Sequence, residues 1–273
     1  MSNFEFSRTL NIGQYLPLGS VIHQLDPRAR IVSAIFVLGT TVAVSHWQGL
    51  AVGLVFILLV LALARIPFFY ALRGLLAPLP FLLIIGVIQI FFNPYKDVPP
   101  IWFTIFGDKI TGGDFVAGGV LILRFIVLVL GLSLVSFTLS TSELTHGLEA
   151  LLKPLKKIGL PTDDLVMVVQ VTLRFLPFLG QTAERIAKAQ ASRGGEWGTG
   201  KGGLLGRARQ VFPLIIPLFM TSLRKAEMMA LAMDARGYGG KVRRTSMVEL
   251  DFRIKDLLAV LIAIAVAAAV IWL

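Results

Sequence analysis

Long uncharged apolar runs alternate along this chain with short polar segments and one extended basic stretch. A transmembrane helix needs roughly 20 predominantly apolar residues. Five runs approach that length: residues 29–45, 50–66, 75–92, 115–139 and 257–273. The residues before the first run carry charges and no apolar core, so we expect no cleavable signal peptide. The pattern predicts an all-α integral membrane protein with about five transmembrane helices, four of them in residues 1–140 and the last in residues 257–273.

A more polar segment, residues 141–256, separates the fourth run from the fifth and predicts a domain of three helices. The first begins with an N-cap region at Thr141-Ser142-Glu143. Two long coupling helices then cover about residues 161–194 and 204–237, with a Gly-rich linker between them. Their apolar halves extend over roughly 13–15 residues, which is short for a span. This favours helices that lie on the membrane surface; two further, kinked transmembrane helices are the alternative.

The loop between the third and fourth runs contains few basic residues. Its apolar stretch from Ile101 to Ile110 predicts a small hairpin that turns at Gly107-Asp108. An equally good interpretation is a segment that lies in the membrane interface through Trp102 and Phe103.

Composition agrees with a membrane protein, because 56% of the residues are hydrophobic and 15% are charged, whereas soluble domains contain about 25% charged residues. The net charge of +10 would suit nucleic acid, but most Lys and Arg residues lie within residues 153–255. Basic loops stay in the cytoplasm, so we expect no nucleic-acid partner. This predicts a multi-pass protein of a bacterial or archaeal cell membrane with a cytoplasmic N-terminus and coupling domain, and with Leu273 outside.

Catalytic and metal-binding constellations are missing from the sequence. There is no cysteine and there are three histidines, and the apolar runs contain no paired carboxylates for proton transfer. Residues 195–202 resemble a phosphate-binding loop, but Gly202 stands where the magnesium-binding Ser or Thr is required. We therefore expect no enzyme activity, no metal and no cofactor in this chain.

An internal repeat links the ends of the two coupling helices. Ala183-Glu184-x-x-Ala187 followed by Ser192-Arg193-Gly194 aligns without a gap with Ala226-Glu227-x-x-Ala230 followed by Ala235-Arg236-Gly237. For either end alone, the simpler explanation is an Arg that complements the helix dipole beside an ordinary Gly cap. Because the feature occurs twice, we predict docking into two equivalent grooves of a twofold or pseudo-twofold partner, where guanidinium binds carboxylates bidentately.

These ends and three further segments resemble the transmembrane T component of energy-coupling factor transporters, which are vitamin and metal importers of the ATP-binding-cassette class. The further segments are residues 13–28, 141–157 and 173–177, and the resemblance covers essentially the whole chain. In that family both helix ends read Ala-Arg-Gly, whereas this chain has Ser192 at the first end.

The resemblance implies that the two Arg residues insert into two cytoplasmic ATPase subunits, which form a heterodimer or a homodimer and bind ATP and Mg. It also implies that the coupling helices form a platform under one membrane-embedded, substrate-binding S component. The substrate is not encoded in this chain, since selectivity in that family resides in the S component.

Two further arginines are candidates for contacts within the membrane or with the S component. Arg124 lies inside the fourth run, where a charge costs at least ~2.5 kcal/mol, and Arg174 lies in the apolar half of the first coupling helix. Arg124 pairs either with a carboxylate of the S component or, by snorkelling or bonding backbone carbonyls, within its own bundle. The alternative function is a conventional ABC permease that forms its own substrate pathway.

Overall fold

A computed structural model describes residues 15–76, 78–91, 101–105, 108–159, 161–193, 203–239 and 250–272. These residues fall into two compact units. The membrane unit contains the described residues of Gly13–Ile158 and Leu250–Leu273, and the coupling unit contains those of Gly159–Glu249. The predicted domain of residues 141–256 therefore begins later in the structure, because its first helix belongs to the membrane unit.

The architecture is helical, as predicted, with one added hairpin. In chain order the elements are α1 (Pro27–Ala43), α2 (Trp47–Leu63), α3 (Phe68–Leu76), α4 (Leu79–Phe91), β1 (Ile101–Ile105), β2 (Asp108–Thr111), α5 (Gly112–Thr138), α6 (Thr141–Leu152), a 3-10 helix (Lys153–Ile158), α7 (Thr162–Ser192), α8 (Gly203–Ala235) and α9 (Ile254–Trp272). The antiparallel pairing of β1 with β2 settles the choice between hairpin and interfacial segment in favour of the hairpin. Gly107 of the predicted turn lies outside the described residues.

The five predicted spans correspond to helices of different length. Among the described helices, α5 and α9 are long and apolar enough to cross a membrane, and so is α7, which was predicted to lie on the membrane surface. Helices α1 and α2 have 17 residues each, which is the lower limit for a span of roughly 17–25 residues. The third predicted span, residues 75–92, contains only the end of α3 together with all of α4, and these two helices are bent by 61°. Pro78 explains the break, since proline has no backbone N–H to donate and disrupts a helix interior.

Contacts at the helix ends give the directions of α1, α2 and α9. The backbone N–H of Asp26, the N-cap of α1, donates to Asp256 Oδ1 over 2.7 Å, so α1 and α9 start on the same side. The same Asp26 side chain accepts from the backbone N–H of Arg28, and Pro27 occupies the first turn, so Asp26 caps the helix. Helix α2 runs the opposite way, because Gly49 near its start packs against Val270 near the end of α9.

Gly49 allows the close approach of α2 to α9. A Cβ atom at this position would lie 2.4 Å from the Val270 carbonyl oxygen, which belongs to the backbone and cannot move aside cheaply. We expect Gly49→Ala to destabilise the protein by about 1–3 kcal/mol, the usual cost of overpacking. Thermal unfolding of the purified protein in detergent would measure this.

Gly39→Ala is the matched control for this substitution. Gly39 also lies within a helix, and its Cβ would meet nothing within 4 Å. We expect its unfolding midpoint to stay at or above the wild-type value, because Ala favours helix over Gly. Equal midpoints for the two variants would contradict the close packing of α2 on α9.

Helix α6 begins one residue earlier than predicted. Its N-cap is Ser140, whose hydroxyl accepts from the Glu143 backbone N–H, while the Glu143 carboxylate accepts from the Ser140 backbone N–H over 2.9 Å. This is a capping box, which satisfies two N–H groups that lack partners within the helix. The predicted N-cap region, Thr141-Ser142-Glu143, starts one residue after the observed N-cap. The sequence could not distinguish them, because Ser140, Thr141 and Ser142 are all residue types that cap helices.

The coupling unit is built from two antiparallel helices. Near the start of α7, Asp164 lies 3.4 Å from the hydroxyl of Tyr238, which follows α8. Further along α7, the Phe178 ring lies 5.5 Å from the ammonium nitrogen of Lys225. In these two contacts, the higher residue number on α7 is paired with the lower residue number on α8. The helices are therefore antiparallel and end at opposite ends of the unit.

Candidate functional site

The end of α7 presents Arg193 directly after the last helical turn. Arg193 is the C-cap, with its backbone N–H bonded to the Gln190 carbonyl over 3.2 Å. Ser192 is exposed and its hydroxyl donates to the Ala189 carbonyl over 2.9 Å. Gly194 lies outside the described residues. A hydroxyl bonded back to its own helix leaves the Ser192 side chain nearly as compact as the Ala found at the other end.

The end of α8 is closed by a Schellman motif around Gly237. The N–H of Tyr238 donates to the Met233 carbonyl over 2.9 Å, and the N–H of Gly237 donates to the Asp234 carbonyl over 2.8 Å. Gly237 has φ of 74°, which glycine adopts at little cost. This geometry makes Arg236 the C-cap, the position that Arg193 occupies at the end of α7.

Both arginine side chains are exposed. Within the described part of the chain, neither guanidinium makes an ion pair or a side-chain hydrogen bond. Because α7 and α8 are antiparallel, a rise of about 1.5 Å per residue puts the two ends on the order of 40 Å apart along the pair. The site therefore consists of two separate, similar positive tips.

The supporting positions of the repeat are similar in sequence but differ in environment. Ala187 is fully buried, whereas its counterpart Ala230 is exposed. Glu184 binds Lys188 over 2.6 Å across one helical turn, whereas its counterpart Glu227 is exposed. The remaining pair, Ala183 and Ala226, is half-buried on α7 and exposed on α8.

A groove of about 850 Å³ runs between α7 and α8. Its lining is mostly apolar and contains Met167, Met229 and Met233 together with Phe175 and Phe219. Methionine is flexible and polarizable, so a surface of this kind adapts to the shape of a partner. Large apolar side chains outside the groove are exposed as well: Leu165, Val169, Phe212, Ile215, Ile216, Met228 and Leu231.

The other two candidate arginines lie in different surroundings. Arg124 Nη2 donates to the backbone carbonyl of Val44 at the end of α1 over 2.5 Å. A bond to a backbone carbonyl within the bundle was one of the two alternatives predicted for this residue. Arg174 is exposed on α7, and its contact with an S component stays a prediction.

Sequence reasoning missed a clamp formed by Arg30 and Glu143. One guanidinium nitrogen of Arg30 donates to the Thr138 carbonyl at the end of α5, and the other binds Glu143 Oε1 over 3.0 Å. The Arg30 side chain is 5% exposed and that of Glu143 is 32% exposed. The clamp joins α1, α5 and α6. A local pattern could not reveal it, since the two charges are separated by 113 positions.

The Ser140 capping box and the clamp together lower the pKa of Glu143, which lies outside the membrane-spanning helices. Burial raises the pKa of this carboxyl, but hydrogen bonds from Ser140 and the Arg30 guanidinium outweigh burial and hold the pKa below its usual value. A lowered pKa in the folded state stabilises the fold at pH values above the unfolded-state pKa, which is about 4.3 for glutamate. That contribution is lost as the pH falls through the lowered value.

A comparison of wild type with Glu143→Gln tests this pH dependence. We expect the wild-type protein to unfold at a higher temperature near pH 6, and the difference to shrink as the pH falls towards about pH 3. Thermal unfolding in detergent across this range is the measurement. A difference that stays constant would show that the Glu143 charge contributes nothing to stability.

The apolar helices define an all-α membrane protein. Comparison with known proteins identifies the family to which it belongs. The family model of the cobalt transport protein CbiQ matches residues 19–247. The chain is 34% identical to the energy-coupling factor transporter transmembrane protein EcfT of Clostridium kluyveri, over 97% of this chain and 98% of that one.

Two further relatives bear the same name. The identity is 36% with the protein of Thermosediminibacter oceani, over 92% of this chain and 93% of that one. It is 33% with the protein of Bacillus subtilis, over 96% of both chains. The chain therefore belongs to the CbiQ/EcfT family, the transmembrane T components of energy-coupling factor transporters.

Proposed function

We propose that this chain is the non-enzymatic scaffold of an energy-coupling factor importer. It transmits the ATP-driven motion of two cytoplasmic ATPase subunits to one membrane-embedded S component, which binds a micronutrient, either a vitamin or a metal. ATP and Mg belong to the ATPase subunits, and this chain supplies no cofactor. The single observation that carries the proposal is the pair of exposed, similarly capped Arg tips at opposite ends of α7 and α8.

The placement of the tips suits a partner with two equivalent grooves. Two antiparallel helices with a constant offset between their repeats are related approximately by a twofold rotation, so each tip meets one subunit of a dimer in the same way. The planar guanidinium of arginine binds a carboxylate through two parallel hydrogen bonds, which fix the orientation of the contact when force is applied to it. When ATP binding closes the ATPase pair, a tip held in this way moves with its subunit.

The apolar surface of the coupling unit is the proposed contact with the S component. Exposed apolar side chains lie along both helices, and contiguous exposed apolar surface marks interaction sites with proteins or membranes. The Met-lined groove between the helices adds a surface that can adjust as the helices move. Motion of the tips then reaches the S component through the bodies of α7 and α8.

The direction of the helices supports a cytoplasmic N-terminus and coupling unit. The starts of α1 and α9 lie on one side of the membrane unit, and Arg28, Arg253 and Lys255 lie at those starts. The basic residues of the 3-10 helix follow α6, which packs against α1. Basic residues beside short loops stay in the cytoplasm. We therefore place this side of the unit in the cytoplasm of a prokaryotic cell and the end of α9 outside.

The intact mass of the complex purified in mild detergent tests the proposal. A scaffold predicts one copy of this chain with two ATPase subunits and one small hydrophobic protein. A conventional permease predicts two copies of this chain with two ATPase subunits and no small protein. The second mass, together with solute binding by this chain alone, would overturn the proposed function.

A further inference from the structure

A pocket of about 200 Å³ lies within the membrane unit, between α1, α2, α5 and α9. Small side chains create the space, among them Ala29, Ala34, Ala259 and Ala263. An apolar cavity of about 150 Å³ in another protein is large enough to bind benzene and stays free of water. This pocket is larger and equally apolar over most of its wall, so it has room for a segment of a hydrocarbon chain.

One end of the pocket is polar, where Arg30, Ser33 and Thr138 line it. Arg30 is 8% exposed, and its two terminal nitrogens already donate to the Thr138 carbonyl and to Glu143. Arg30 Nε and Ser33 Oγ are buried and have no hydrogen-bond partner within the part of the chain that the structure describes. A buried donor without an acceptor costs free energy, so a ligand with an acceptor oxygen at this end of the pocket would be stabilised by both atoms.

The pocket reaches the outside between α2 and α9. Leu63 and Ile262 line it and are 59% and 54% exposed. Both residues belong to membrane helices, so the medium that meets their exposed sides is the lipid bilayer. A ligand that enters here comes from the leaflet that borders the start of α1.

We propose that this pocket binds one acyl chain of a phospholipid, with an ester carbonyl oxygen accepting hydrogen bonds from Arg30 Nε and Ser33 Oγ. A phospholipid is the molecule that combines a long apolar chain with an acceptor at one end and is present at the opening. A water at this end would have only Arg30 Nε and Ser33 Oγ as partners, the minimum for a buried water, and it would leave the apolar part of the pocket empty. The bound lipid lies beside the clamp that holds α6.

Native mass spectrometry of the purified full-length chain tests the proposal. The protein is stripped of lipid in detergent, incubated with palmitoyl-oleoyl-phosphatidylglycerol, and compared with two variants of α2. Val60 lines the pocket, and Val60→Trp fills it. Val55 is 57% exposed on the same helix, so Val55→Trp adds the same ring outside the pocket.

We expect wild type and Val55→Trp to bind one phospholipid with equal affinity. We expect Val60→Trp to bind that phospholipid at least about tenfold more weakly. Equal binding by all three proteins would overturn the proposal, as would binding of detergent in place of phospholipid. Ala34→Leu fills the pocket from α1 with a smaller side chain and gives the same test if Val60→Trp does not fold. The readout is lipid binding and requires no ATPase, so it is separate from any test of the proposed function.

Discussion

Replacing Arg193 and Arg236 together by Ala should reduce ATP-driven uptake to background and prevent co-purification of the ATPase subunits. Both side chains are exposed and lie at the C-cap of their helix, so their removal leaves the helices intact while it removes the proposed charge-assisted contacts. Each such contact contributes about 1.5–3 kcal/mol, and the loss of both lowers the affinity by at least about a hundredfold. Uptake into cells and pull-down of the complex from membranes are the measurements.

Arg185→Ala combined with Arg224→Ala is the matched control. These arginines are also exposed, one on each coupling helix, and the double variant loses the same net charge. We expect it to assemble and to transport at close to the wild-type rate. Uptake that survives in the Arg193 and Arg236 variant, with normal insertion into the membrane, would remove the basis of the proposed function.

Arg30→Met should destabilise the membrane unit by about 2–4 kcal/mol. The substitution keeps an apolar stem but leaves the Thr138 carbonyl and the Glu143 carboxylate without the guanidinium that now binds them. Breaking a buried ion pair by removing one partner costs about 3–5 kcal/mol, and the partial exposure of Glu143 lowers that figure. Thermal unfolding of the purified protein in detergent measures the effect.

Arg28→Met provides the comparison for this variant. The Arg28 side chain is 33% exposed, and its Nε lies 4.0 Å from Oδ1 of the buried Asp26, which is the longest distance at which an ion pair is counted. We expect a loss of at most about 1 kcal/mol. Equal unfolding midpoints for the two variants would show that the clamp does not hold α6 to the rest of the membrane unit.

Features encoded by neighbouring residues were predictable from the sequence. The apolar runs located α1, α2, α5 and α9, because hydrophobic periodicity involves residues within one or two turns. The same holds for Gly237, whose place just after an apolar helix is a common stop. The Arg-Gly repeat was visible for a similar reason, since its two copies align without a gap.

Contacts between distant residues were not predictable from one sequence. The Arg30–Glu143 clamp and the bond between Asp26 and Asp256 join residues 113 and 230 positions apart, and no local pattern relates them. For this reason α6 was assigned to the coupling domain, whereas it packs against α1 in the membrane unit. The bend between α3 and α4 was missed because the run is apolar throughout, although Pro78 was the available signal.

Site-specific cross-linking tests the central claim, that each Arg tip binds one ATPase subunit. The chain contains no cysteine, so Ser192→Cys and Ala235→Cys each introduce a single thiol beside a tip. Either thiol can carry a benzophenone group attached before the complex is assembled. Thr221→Cys, exposed in the apolar half of α8, is the control.

We predict that light links each tip variant to an ATPase subunit and leaves the Thr221→Cys variant without an ATPase adduct. Adducts with lipid alone at both tips, or with an ATPase subunit at only one of them, would contradict the account.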